Sequence, residues 1–129
     1  MPRLQKGERV PDFVVTTVDG RGFSYASIWQ HRNLVLITLP DVDSEEARAC
    51  SAAIGGRLAE FGNQNTACIV TADRVPGLDG PGALVADKWG EIVYVASAPH
   101  IDALPPVDDL LEWIEYLQLR CPECEGETR

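Results

Sequence analysis

Apolar and polar positions along the chain follow two different periods. Leu34-Val35-Leu36-Ile37-Thr38-Leu39 is a nearly unbroken apolar run cut off by Pro40, which predicts a central strand buried on both faces. Thr66 to Ala72 predicts a second buried strand. Between them an acidic loop, Asp41-Val42-Asp43, leads into Ala47, Cys50, Ile54, Leu58 and Phe61 at spacings of three and four. That period predicts one helix ending near Gly62-Asn63. Upstream, Pro11 to Val18, the Asp19-Gly20 turn and the return Phe23-Ser24-Tyr25 read as a hairpin, and Ser27 to Asn33 as a short link. Downstream, Asp73 to Gly82 is rich in glycine and proline and predicts an irregular connection. Ala83 to Ala86 and Ile92 to Val95 form a second predicted hairpin around Asp87-Lys88-Trp89-Gly90. Pro105-Pro106 open a helix predicted over Val107 to Arg120, with Val107, Leu110, Leu111, Ile114 and Leu117 on one stripe.

A strand-helix-strand unit specifies a parallel pair joined by a right-handed crossover, and the later hairpin adds antiparallel strands. The expected class is therefore an α/β sandwich with a mixed sheet. At 129 residues the chain supports one domain, assigned to residues 1–120, followed by a polar tail at residues 121–129. The tail is Cys121-Pro122-Glu123-Cys124-Glu125-Gly126-Glu127-Thr128-Arg129.

Composition narrows the function classes. Hydrophobic residues make up 45% and charged residues 24%, which excludes disordered and fibrous readings. The net charge of -9 argues against nucleic acid and anionic membranes as partners, because a phosphate surface must be met by a basic one. No apolar run approaches the ~18 residues of a membrane span. The first residues lack the apolar stretch of a secretory signal, so a cytoplasmic location is expected.

Four ordered stretches carry a resemblance: Gly7-Glu8-Arg9-Val10-Pro11-Asp12-Phe13, Asp19-Gly20-Arg21-Gly22-Phe23-Ser24, Arg32-Asn33-Leu34-Val35-Leu36, and Pro81 through Ile92. With the final helix they cover nearly the whole chain. They resemble the thioredoxin-like superfamily, in particular the redoxin branch that includes peroxiredoxins of the alkyl hydroperoxide reductase type. The resemblance implies a thioredoxin-like three-layer sandwich, with a mixed central sheet, flanking helices and an N-terminal hairpin. The activity it implies is thiol–disulfide or peroxide reduction.

In that family the reactive cysteine sits where the central strand gives way to the first helix, where the helix dipole and unpaired N–H groups stabilise a thiolate. Matched to the thioredoxin pattern, the two cysteine positions hold Asp43 and Glu46; matched to the peroxiredoxin pattern from Pro40, the cysteine position falls at about Ala47. The thiol is missing in both alignments. Asp43 and Glu46 are expected to form a capping-box-like pair, with a binding role toward a cation or a partner's N–H groups as the rival reading. Pro81 matches the position of the family's cis-proline, and the peptide state there is left open. Trp89 stands in the hairpin turn as a candidate contact residue.

The four cysteines divide into two kinds. Cys50 lies on the apolar stripe of the first helix and Cys68 inside a strand, and both are expected in the core. Cys121 and Cys124 form a CxxC, the spacing of dithiol redox centres and of zinc half-sites. As a dithiol the pair follows a helix C-terminus and lies among Glu123, Glu125 and Glu127, which raise a thiol's pKa. As a metal site it needs further ligands from a second copy, or from His31 or His100, to complete a tetrahedral set. A plain exposed tail is the third reading. His31 and His100 otherwise read as surface residues. Asp102, Asp108, Asp109, Glu112 and Glu115 read as the start and outer face of the last helix.

The sequence thus points to a peroxiredoxin-like protein with a degenerate site, retaining at most weak thiol–disulfide exchange through Cys121 and Cys124. The alternatives are a non-catalytic protein-binding module using the surface around Asp43, Pro81 and Trp89, or self-association through zinc shared between chains. No other cofactor is implied.

Overall fold

The computed structural model describes residues 3–41 and 43–119. Its elements run β1 (Val14–Thr16), β2 (Gly22–Ser24), a 3-10 turn at Tyr25–Ser27, β3 (Asn33–Thr38), α1 (Glu45–Gly55), α2 (Leu58–Asn63), β4 (Thr66–Thr71), β5 (Gly82–Ala86), β6 (Ile92–Ser97), a second 3-10 turn at Ile101–Ala103, and α3 (Val107–Leu119). The main sheet has the order β4-β3-β5-β6, and β1 and β2 form a separate hairpin. β3 and β4 are parallel with Leu36 opposite Ile69. β5 returns antiparallel to β3, with Thr38 opposite Gly82 and Leu34 opposite Ala86. The result is the thioredoxin-like mixed sheet.

All six residues of β3 are buried, as the unbroken apolar run predicts, because both faces of this strand are covered. Val35, Ile37 and Leu39 face a cluster to which α1 contributes Ala47 and Ile54, α2 Phe61, and α3 Leu110, Leu111, Ile114 and Leu117. Leu34 and Leu36 face the opposite cluster, built from Val10, Phe13, Val15, Tyr25, Ile28, Val75 and Leu78. The three layers are therefore the helices, the sheet, and a layer made by the N-terminal hairpin, the first 3-10 turn and the 75–78 loop. Each wholly buried Leu or Ile stabilises this arrangement by about 1.5–3 kcal/mol relative to exposure.

The single helix expected between β3 and β4 is two. α1 closes at Gly56, whose N–H reaches the carbonyls of Ala52 and Ile54, and α2 restarts after Arg57. Ala47, Ile54 and Phe61 still face the core across the break, whereas Leu58 is exposed. Arg57 ties the break down by pairing with Glu60 and, at 2.7 Å, with Asp108 at the start of α3. The connection predicted to be irregular is a loop whose Val75 and Leu78 plug the second cluster.

Candidate active site

The chain leaves β3 at Thr38 and turns at Pro40 into α1. Asp41 organises the turn: its side-chain Oδ1 accepts the N–H of Asp43 at 3.1 Å, and its carbonyl accepts the hydroxyl of Ser44 at 3.1 Å. The Ser44 Oγ in turn accepts the N–H of Ala47 at 3.1 Å. Ser44 is thus the N-cap of α1, and Glu45 and Glu46 occupy the first turn, where a carboxylate suits the helix dipole. This corrects the expected Asp43–Glu46 capping pair by one residue. Asp43 lies just outside the helix and is exposed, and the residue that donates the cap bond through its N–H is Ala47, whose methyl side chain cannot reciprocate.

Opposite this turn, the Gly80–Pro81 peptide is cis. A Cβ added at Gly80 would stand 3.1 Å from Pro40 Cδ and 3.2 Å from Thr38 Oγ1, so glycine allows the two prolines to approach. Thr38 Oγ1 is buried and has no hydrogen-bond partner among the described residues. Pro40, Ser44, Glu46, Pro81, His100 and Asp102 line an open cleft of about 440 Å³. Asp43, Glu46, Ala47 and Pro81 are therefore gathered at one end of the molecule, and His100 joins them. Nothing in the sequence around His100 signals that placement, which depends on how the chain leaves β6.

No thiol stands at the helix start. Ala47 is 1% exposed and belongs to the helix-side core. Cys50, one turn further along α1, is partly buried and lines a neighbouring groove with Ala53, Leu104 and Leu110. Burial pushes its thiol pKa up. Cys68 in β4 is also partly buried, packed against the same core, and its pKa is pushed up to about 12 by burial first and by the nearby Cys50 second. Both thiols stay protonated at neutral pH and are poor nucleophiles. Cys121 and Cys124 lie outside the described residues. Among the described residues there is no group of three or more His, Cys, Asp or Glu side chains able to hold a metal, and no helix is long and apolar enough to cross a membrane.

Trp89 is not part of this constellation. β5 carries the chain from the Pro81 end of β3 to its other end, roughly 17 Å away along a six-residue strand. There Trp89 is partly buried in the turn, and its carbonyl accepts from Arg9 Nη1 at 2.8 Å and from Trp29 Nε1 at 3.2 Å. The single surface expected around Asp43, Pro81 and Trp89 is therefore two separate places. His31 is exposed in the link before β3. Asp108 and Asp109 occupy the first turn of α3.

No family model matches the chain, and no curated protein sequence matches it. Solved structures do. The chain superposes on a reduced 2-Cys peroxiredoxin of Plasmodium vivax with a TM-score of 0.71 at 12% identity, covering 88% of this chain and 81% of that one. A yeast mitochondrial 1-Cys peroxiredoxin gives 0.70 at 14% identity, with coverage of 90% and 77%. A peroxiredoxin-like protein from Aquifex aeolicus gives 0.61 at 20% identity, with coverage of 91% and 90%. The fold is thioredoxin-like, in the form peroxiredoxins take.

Proposed function

We propose that this chain is a peroxiredoxin-like domain whose helix-start site no longer carries out peroxide chemistry, with any thiol–disulfide exchange confined to Cys121 and Cys124. The observation that carries this reading is Ala47. It lies in the first turn of α1, its N–H donating to Ser44 Oγ, where a cysteine would gain from the helix dipole, and its side chain is only a methyl group. The two described cysteines cannot substitute, since burial holds both as thiols. In the exchange reaction Cys121 and Cys124 would give up two thiol protons and two electrons, forming a disulfide while a partner's disulfide becomes two thiols.

A second reading, a non-catalytic protein-binding module, is favoured by the persistence of the cleft itself with Glu46, Asp41 and Asp102 on its walls. Such a rim suits a basic or neutral segment.

Hydroperoxide consumption and reduction of a small disulfide, each with a dithiol donor, test the first reading. Peroxide loss at the rate of a free thiol is expected, together with disulfide reduction that disappears in Cys121→Ser/Cys124→Ser. Rapid, saturable peroxide consumption that survives that double substitution and is lost in Cys50→Ser would overturn it.

A further inference from the structure

The face of β3 turned away from the helices carries Leu34 and Leu36, and alternation along the strand puts Thr38 on the same side. Thr38 is 4% exposed, and its hydroxyl has no hydrogen-bond partner among the described residues. A buried hydroxyl in that position costs stability unless something outside the fold bonds to it. Its oxygen lies beside Gly80 and Pro40: a Cβ added at Gly80 would crowd Thr38 Oγ1 at 3.2 Å and Pro40 Cδ at 3.1 Å. These same three residues, with the loop that follows β4, line a cavity of about 540 Å³. That volume is within the range of ligand sites. The place is also apt, because α/β sheets commonly receive ligands outside the carboxyl ends of their parallel strands, here β3 and β4.

The loop decides the charge of the occupant. Asp73 Oδ2 accepts the N–H of Thr16 at 2.7 Å, and Asp79 pairs with Arg3 at 3.1 Å, so both carboxylates of the lining are engaged. Arg74 lines the same cavity and is exposed, and it forms no ion pair among the described residues. A guanidinium presents a planar fork of donors that fits a carboxylate at two points. The two aspartates and the net charge of -9 disfavour an occupant with more than one negative charge. Val75, Pro76 and Leu78 add apolar surface to the lining.

From these features we infer that the cavity binds a small organic acid with one carboxylate, an apolar body and a second oxygen. The carboxylate takes the Arg74 fork, the body lies against Val75, Pro76 and Leu78, and the second oxygen bonds to Thr38 Oγ1. Among the described residues, none of α1 and no cysteine lines the cavity. The site shares Pro40 with the helix-start cleft and is otherwise independent of it and of any thiol.

The test is titration of the full chain with 4-hydroxybenzoate, which carries a carboxylate and a hydroxyl at opposite ends of an apolar ring. Saturable shifts of the Thr38, Arg74 and Leu78 amide signals are expected in two-dimensional NMR, with the indole signal of Trp113, on α3, unmoved. Benzoate, which lacks the second oxygen, should bind about fivefold more weakly, the loss of one net hydrogen bond, and phenol, which lacks the carboxylate, about tenfold. Thr38→Val removes a hydroxyl that has no internal partner. It should weaken 4-hydroxybenzoate about fivefold and leave benzoate unchanged, a split that general damage to the cavity would not give, and Thr38→Ser should restore wild-type binding. Arg74→Gln, at an exposed side chain, should weaken both acids about tenfold with the fold intact. The inference is overturned if 4-hydroxybenzoate gives no saturable shift, if phenol binds as tightly as 4-hydroxybenzoate, or if Thr38→Val binds 4-hydroxybenzoate as tightly as the wild type.

Discussion

The two ends of β3 each stand beside an open cleft, and the two clefts are built on different principles. At the Pro40 end, backbone geometry is in place: a capped helix start, a cis-proline and a glycine that lets the prolines meet. The side chains there, Ala47 and Glu46, offer no nucleophile. At the Trp89 end, aromatic side chains are in place around an open cleft, and the backbone serves to hold them, through the Trp89 carbonyl and the Gly90 turn. A capped helix start facing a cis-proline and an aromatic cluster thus stand at opposite ends of the same strand.

The largest effect that would break this comparison is expected from Gly90→Ala. Gly90 has φ of +85°, and its Cβ would press on Tyr25 and Trp29. Chemical denaturation should show a loss of about 1–3 kcal/mol, and the indole N–H signal of Trp29 should shift, while the Pro40 end, read by NMR shifts of α1, stays as it was. Movement of both ends would show that they are not separable. Ser44→Ala is the complementary change. Removing the cap should cost about 1 kcal/mol and move the amide signal of Ala47, with the indole N–H signals of Trp29 and Trp89 unchanged.

The smallest effect, and the one that sharpens the comparison, lies in alkaline solution. Burial, then the Asp87 carboxylate, pushes the Tyr25 pKa up to about 12 from an ordinary value of 10.0, and Cys68 is pushed to about 12 from 9.0. Both groups are held neutral in the folded state. The stability tied to each is therefore fully present below its unfolded pKa and is lost as pH rises through the folded value. Denaturation between pH 9 and 12 should show falling stability. Tyr25→Phe should flatten the fall from about pH 10 upward and Cys68→Ala from about pH 9 upward, one on each side of the sheet. A slope unchanged by both substitutions would contradict the burial of these groups.

Much of this architecture is legible in the chain. The unbroken run at Leu34–Leu39 marks the central strand because a strand covered on both faces needs no polar alternation. The helix break at Gly56 escapes periodicity because Ala47, Ile54 and Phe61 keep one face across it, although the Gly55-Gly56 pair was a local sign. The choice of Ser44 over Asp43 as cap also escapes, since both residue types cap well. What decides is that Asp41 has already drawn in the N–H of Asp43 and the hydroxyl of Ser44.

The absence of cysteine between Pro40 and Ala47 is settled by the sequence alone, as are the strand-helix order and the acidic balance, because each is a property of residues close together in the chain or of their sum. Which residues share a site was decided only by tertiary structure. Pro81 and Trp89 are eight positions apart and lie at opposite ends of the sheet because β5 is extended between them, while Arg9, Tyr25 and Trp89 meet because the N-terminal segment packs against the β5–β6 turn.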